Sequence, residues 1–269
     1  MSERTLYLVG AGLANVRDLT VRALEVLARV DLILVDTYTS VYEFREGELK
    51  RLLRALGGGG PPRIRPCSRE DLEDRFFEVC GDAEEVAVLC PGDPMVATTH
   101  SALAVEAAKR GWRVEIVHGV SILTAGPARS GLELYRFGRT ATIPLRVRSV
   151  YPYDVLEENL SSDLHTLFLL EAVSEREYVS VADAARYLLR LEEEEGRGVV
   201  SPNHEVVGVI RLGFENERLV RGTVQELADW DPPGPPQALI YPSPRLREPE
   251  REFLNLLVPH IRDVAKRGE

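Results

Sequence analysis

The chain is short of cysteine, of lysine and of long apolar runs. Its three cysteines, Cys67, Cys80 and Cys90, form an odd set with no CxxC pair, and its five histidines are scattered without metal-ligand spacing. That pattern speaks against a zinc site and fits a reduced cytoplasm. No stretch approaches the roughly 18 apolar residues that a membrane-spanning helix needs, and the opening MSERTLYLVGAG is too short in apolar residues for a secretory signal. A soluble cytoplasmic protein with no membrane partner and no metal is expected. Only Lys50, Lys109 and Lys266 of the 33 basic residues are lysine, a bias that carries no functional message. With 43 acidic side chains and a net charge of −10, the chain lacks the clustered positive charge that phosphate-backbone binding uses, so nucleic acid is not expected as a partner.

The 269 residues, 44% apolar and 28% charged, are enough for two medium domains, each with its own core. In the first half, β-branched runs alternate with amphipathic segments, the pattern of a mostly parallel sheet covered by helices. Strands are expected at Leu6 to Gly10, Leu32 to Asp36, Arg63 to Cys67, Val86 to Cys90 and Val114 to His118. A helix carrying Val21, Leu24 and Leu27 lies between the first two, with Asp18 and Thr20 as its cap candidates. GGGGPP, residues 57 to 62, reads as a surface loop. After His118 the pattern changes. ATIPL, TLFLLE, VVGVIRL, LVRGTV and ALIYPS are strand candidates, with helices at Tyr153 to Leu160 and Val181 to Glu195. The division is therefore 1–118 and 119–269, both α/β. The glutamate run closing the second helix is expected on the surface, although like charges there oppose the helix dipole.

Two glycine corners stand out. GAGLAN, residues 10 to 15, follows the first strand where a dinucleotide fingerprint would, but Asn15 replaces the third glycine and a nicotinamide cofactor is disfavoured. Gly10 and Gly12 still require backbone to pass close to a ligand or to another element. PGDP, residues 91 to 94, fixes the chain with two prolines around Gly92 and Asp93. Both corners fall at carboxyl ends of parallel strands, where open α/β sheets bind ligands; two structural turns are the alternative. In ATTHSAL, Thr98, Thr99 and His100 are cap candidates for the next helix, and His100 is a candidate general base of lower rank. A serine hydrolase using Ser121, His100 and Asp93 is disfavoured because no GxSxG elbow is present. His118 and His165 read as packed or capping residues, and His204 as loop surface.

Together, LYLVGAGL, VDTYTS, CSRED, PGDPMVATTH, SILTAG, GLELYRFG and LHTLFLLE resemble the diphthine synthase family, a branch of the tetrapyrrole-methylase-like methyltransferases. The resemblance spans about residues 5 to 195, more weakly to 242. It implies two α/β domains of the tetrapyrrole methylase type with the cofactor cleft between them. It implies S-adenosylmethionine as methyl donor, a homodimer, and as substrate elongation factor 2 bearing a histidine extended with a 3-amino-3-carboxypropyl group, whose amino group is methylated. By the same resemblance the donor contacts are Leu13, Asp93, Val96, Ser121 and Ile122, joined by Leu170, Leu212 and Gln237. The family often has His where Gln237 stands and Ala where Leu212 stands. Main-chain contacts would tolerate both changes; side-chain contacts would not.

The implied chemistry is displacement at a sulfonium methyl, which needs a neutral amine held in line and water kept out rather than a strong base. No catalytic residue is assigned. The rival readings are a methyltransferase of the same fold acting on a tetrapyrrole or ribosomal RNA, and a non-catalytic nucleotide-binding module.

Overall fold

The structure is a computed structural model describing residues 4–56 and 62–267. Apart from Pro62, the loop expected over 57–62 lies outside the described residues. The chain divides into two compact units, Met1–Ser121 and Ile122–Glu269.

The first unit runs β1 (Thr5–Gly10), α1 (Val21–Leu27), β2 (Leu32–Asp36), α2 (Glu46–Ala55), β3 (Arg63–Cys67), α3 (Arg69–Glu73), α4 (Phe76–Cys80), β4 (Glu85–Cys90), α5 (His100–Lys109) and β5 (Arg113–Val117). All five strands are parallel, in the order β3-β2-β4-β1-β5. β1, β2 and β4 are continuous apolar runs because both faces of a parallel sheet are covered. Alternate residues divide between two cores: Tyr7, Val9, Ile33, Val35 and Leu89 pack with α1 and α2, while Leu6, Leu8, Leu34, Val86 and Val88 pack with α3, α4 and α5. Thr20 caps α1 through Ala23 N–H. Asp18, the other cap candidate, instead accepts from Ala14 N–H at 2.8 Å and closes the turn before the helix. All three cysteines are buried and free. Burial pushes the Cys67 thiol up to about 11 and that of Cys80 to about 12.

The second unit contains α6 (Ile122–Ser130), β6 (Ala141–Ile143), α7 (Tyr151–Ser161), β7 (Thr166–Leu170), the small hairpin β8 (Ala172–Ser174) and β9 (Glu177–Tyr178), and α8 (Val181–Glu195). It continues through β10 (Glu205–Ile210), β11 (Arg218–Thr223), α9 (Val224–Ala228), β12 (Gln237–Tyr241), α10 (Glu248–Leu257) and α11 (Ile261–Arg267). Its main sheet, β11-β10-β12-β7-β6, is antiparallel except for the parallel pair β6 and β7. Ile143, Phe168, Leu170, Val206 and Leu239 of the sheet pack with Tyr153, Leu156, Ala184, Ala185 and Leu188 of α7 and α8.

α8 begins in a capping box between Ser180 and Asp183 and ends at Gly196 in the left-handed conformation. Its glutamates are not uniformly solvated, as the sequence suggested. Glu192 accepts from Gly198 N–H, Val200 N–H and the Tyr153 hydroxyl, and Glu194 pairs with Arg148. Burial raises the Glu192 carboxyl, but those hydrogen bonds more than offset it and hold it below its ordinary value.

A buried polar network ties α10 to the segment before β6. Glu250 is fully buried; one oxygen accepts from Glu133 N–H at 3.0 Å and faces His165 Nε2 at 2.9 Å, and the other accepts from Arg247 N–H at 2.8 Å and from the buried Arg136 guanidinium. Ser243 N–H donates to His165 Nδ1 at 2.8 Å, so Nε2 carries the ring hydrogen and the ring is neutral. Burial lowers His165 from its ordinary value. Among the described residues, no helix is long and apolar enough to cross a membrane.

Candidate functional site

In the first unit, the loops leaving the carboxyl ends of three adjacent strands are joined to one another, the first two main chain to main chain. Gly12 follows β1 and Gly92 follows β4; Gly92 N–H donates to Gly12 O at 2.7 Å and Gly12 N–H to Gly92 O at 3.2 Å. Gly12 has φ +81°, a conformation that glycine adopts without strain. At Gly10 and Gly119 the requirement is space. A Cβ on Gly10 would lie 2.6 Å from Gly92 O and from Gly119 N, and one on Gly119 would lie 2.3 Å from Gly92 O. Of the two readings open for Gly10, the neighbouring backbone is the one observed.

Asp93 completes the join. It is 7% exposed, and its carboxylate accepts from Met95 N–H at 2.9 Å and Gly119 N–H at 3.2 Å, while His118 Nδ1 lies 2.8 Å from the same oxygen as Gly119. Asp93 thus clamps the β4 loop to the β5 loop. Its hydrogen-bonding capacity is largely used within the fold. Leu13 and Val96 are half-buried on the first two loops, and buried Ser121 lies two residues after Gly119. The structure therefore brings Leu13, Asp93, Val96 and Ser121 onto three mutually bonded loops. Ala97, one residue past Val96, has φ +54°, a strained conformation for a residue with a Cβ and one that recurs at functional loops.

α5 begins at His100, but the histidine does not cap it. Its ring is buried with Nε2 3.5 Å from Asp36 Oδ2, and neither ring nitrogen makes a hydrogen bond among the described residues. The Thr98 hydroxyl donates to Pro94 O and that of Thr99 to Glu73, so neither serves as a strong cap. Asp36 is engaged by Tyr38 N–H, Thr39 N–H and the Thr39 hydroxyl. Burial raises its carboxyl, and the groups around it, His100 first, bring it below its ordinary value.

In the second unit, Leu170, Leu212 and Gln237 share one end of the sheet. Ala238 is in register with Leu169 and Ile210 with Gln237, which sets Gln237 opposite Leu170; Leu212 lies two residues past Ile210. The register joining these three does not extend to Ile122, which opens α6. The Gln237 side chain is committed to the fold: its oxygen accepts from Val181 N–H at 2.8 Å at the start of α8, and its amide donates to Pro233 O. Leu170 packs into the core with Ile143 and Val179. His204, expected on the surface, stacks on Tyr241 at 4.2 Å and faces Pro242 O at 2.9 Å.

The chain is similar to known proteins in both sequence and fold. The model of the tetrapyrrole (corrin/porphyrin) methylases matches residues 5–228. A diphthine synthase from Methanopyrus kandleri is 66% identical over 96% of this chain and 98% of its own length. The chain belongs to the diphthine synthase family. A diphthine methyl ester synthase from Emericella nidulans is 33% identical over 93% of this chain and 92% of its own length. The crystal structure of a diphthine synthase matches with a TM-score of 0.82 at 30% identity, covering 97% of this chain and 99% of that one. Membership makes the protein a methyltransferase enzyme of diphthamide biosynthesis, and the tetrapyrrole, ribosomal RNA and non-catalytic readings are not favoured.

Proposed function

We propose that the protein transfers methyl groups from S-adenosylmethionine to the amino group of the 3-amino-3-carboxypropyl-histidine of elongation factor 2, as a cytoplasmic homodimer. The observation that carries this reading is the joined set of loops after β1, β4 and β5. Gly92 is half-buried with open space where a side chain would stand, and the half-buried apolar Leu13 and Val96 lie on the same joined loops. That combination fits a donor with both apolar and hydrogen-bonding parts. Leu13, Asp93, Val96 and Ser121 from the first unit, and Ile122, Leu170, Leu212 and Gln237 from the second, are the residues assigned to hold it. No metal is assigned.

The bound donor supplies an electrophilic methyl on a sulfonium. The chain's own residues have three tasks. Leu13 and Val96, the half-buried apolar residues of the first-unit loops, present apolar groups to the donor and exclude water. The fixed loops hold the acceptor amine in line, where orientation supplies much of the rate. Asp93, engaged by Met95, His118 and Gly119, presents little uncompensated negative charge. That suits the reaction, because uncompensated anionic charge stabilises the cationic ground state more than a transition state in which the charge is spread. The amine's proton leaves to solvent between transfers.

The test is incubation with methyl-labelled donor and elongation factor 2 carrying the extended histidine. Label on that histidine, stable to mild base as an N-methyl group is, is the expected result. Absence of label there overturns the reading.

A further inference from the structure

At the edge of the second sheet, the chain leaves β6 through Pro144 and Leu145 and, with α8, borders an open pocket of about 320 Å3. Its apolar lining is Ile143, Leu145 and Val179, and its polar lining includes Arg186, Tyr187 and Arg190. It lies at the sheet end already described: Ile143 is in direct register with Leu170, which stands opposite Gln237. The walls are pinned. The Tyr187 hydroxyl donates to Ser149 O at 2.7 Å and accepts from Ser149 N–H at 2.8 Å, while Leu145 N–H donates to Glu171, the neighbour of Leu170, at 2.8 Å.

The charges around this pocket are unequal. Arg146 pairs with Glu177, Arg148 with Glu194, and Arg186 with both Asp183 and Ala228 O. Asp183, also on the lining, is further held by Ser180. The Arg190 side chain makes no ion pair or hydrogen bond among the described residues. In a chain of net charge −10, an exposed guanidinium left unpaired beside an apolar recess is available for an anion. Its planar donors match a carboxylate in two-point geometry. The volume is at the small end of the range for small-molecule sites, enough for one extended side chain.

We propose that this pocket receives the side chain being methylated, with Arg190 meeting its carboxylate and Ile143, Leu145 and Val179 covering its methylene chain. The inference rests on the reading of the substrate given above. It makes Arg190 the residue that distinguishes the two ends of the acceptor's amino-acid group, holding the carboxylate and leaving the amine free to react.

The experiment compares wild type with Arg190→Ala, Arg190→Glu and Arg190→Lys, using elongation factor 2 whose extended histidine carries either the free acid or the carboxamide. Wild type should favour the free acid by about tenfold in kcat/KM, the scale of a charge-assisted hydrogen bond. Arg190→Ala should raise KM for the free acid about tenfold and abolish the preference, Arg190→Glu should do worse, and Arg190→Lys should recover part of it. Donor affinity, measured by calorimetry, should stay within about twofold in all three and reports that the variants are folded. A free-acid preference unchanged in Arg190→Ala overturns the pocket assignment while leaving the substrate reading intact. Wild type that methylates neither acceptor overturns the substrate reading, and the assignment with it.

Discussion

The two units hold their expected donor residues by different means. In the first, main-chain hydrogen bonds join two loops, a single side chain, Asp93, clamps the third, and the absence of side chains at Gly10 and Gly119 lets the backbones meet. In the second, side chains do the holding: Gln237 spans to Val181 and Pro233, and Arg136, His165 and Glu250 tie distant segments through a buried network. A backbone junction resists any added atom, whereas a charged network resists the loss of any member.

The largest expected effect tests the second half of that contrast. Glu250→Ala removes the buried carboxylate shared by Arg136 and His165, leaving Arg136 only the more exposed Asp163 carboxylate at 3.3 Å, and should cost about 3–5 kcal/mol in urea unfolding; a loss under about 1 kcal/mol would mean that the network contributes little. Next, Gly119→Ala places a Cβ against Gly92 O, a rigid main-chain atom, and should cost about 3 kcal/mol with loss of donor binding. Asp93→Ala removes the clamp between the β4 and β5 loops and should cost about 2 kcal/mol, with weaker donor binding by calorimetry. If stability falls and donor affinity in the folded protein does not, Asp93 is a brace alone.

The smallest effect is a pH dependence. His165 is held neutral, with its folded value below the usual range near about 6.5. The unfolded chain then binds the proton more readily, so stability is complete above that range and is lost as pH falls below it. Urea midpoints at pH 7.5 and 5.5 should show the decrease, and His165→Gln, which keeps a donor toward Glu250, should reduce it.

The first unit was the more legible in sequence. Apolar runs of strand length and glycines directly after them are local signals, and they located β1, β2, β4 and the joined corners. The expected bounds of α8 also coincide with those observed, because Ser180 and Gly196 mark its ends. What was not legible depends on distant partners. Glu250 lies 114 positions from Arg136 and 85 from His165, and nothing in GLELYRFG announces that Arg136 is buried against α10. His100 was misjudged for a related reason: a polar residue at a helix start suggests a cap, whereas here the opposing strand end supplies Asp36 and draws the ring inward. The α8 glutamates looked solvated because their partners, Tyr153 and Arg148, are 39 and 46 residues away.

Because Gly12 is bonded to Gly92, and Asp93 to Gly119, the three loops of the first unit cannot adopt independent conformations. The conformational entropy of ordering them is therefore lost during folding, before any ligand arrives. A donor that meets them encounters a surface already fixed, and more of its contact energy remains as affinity.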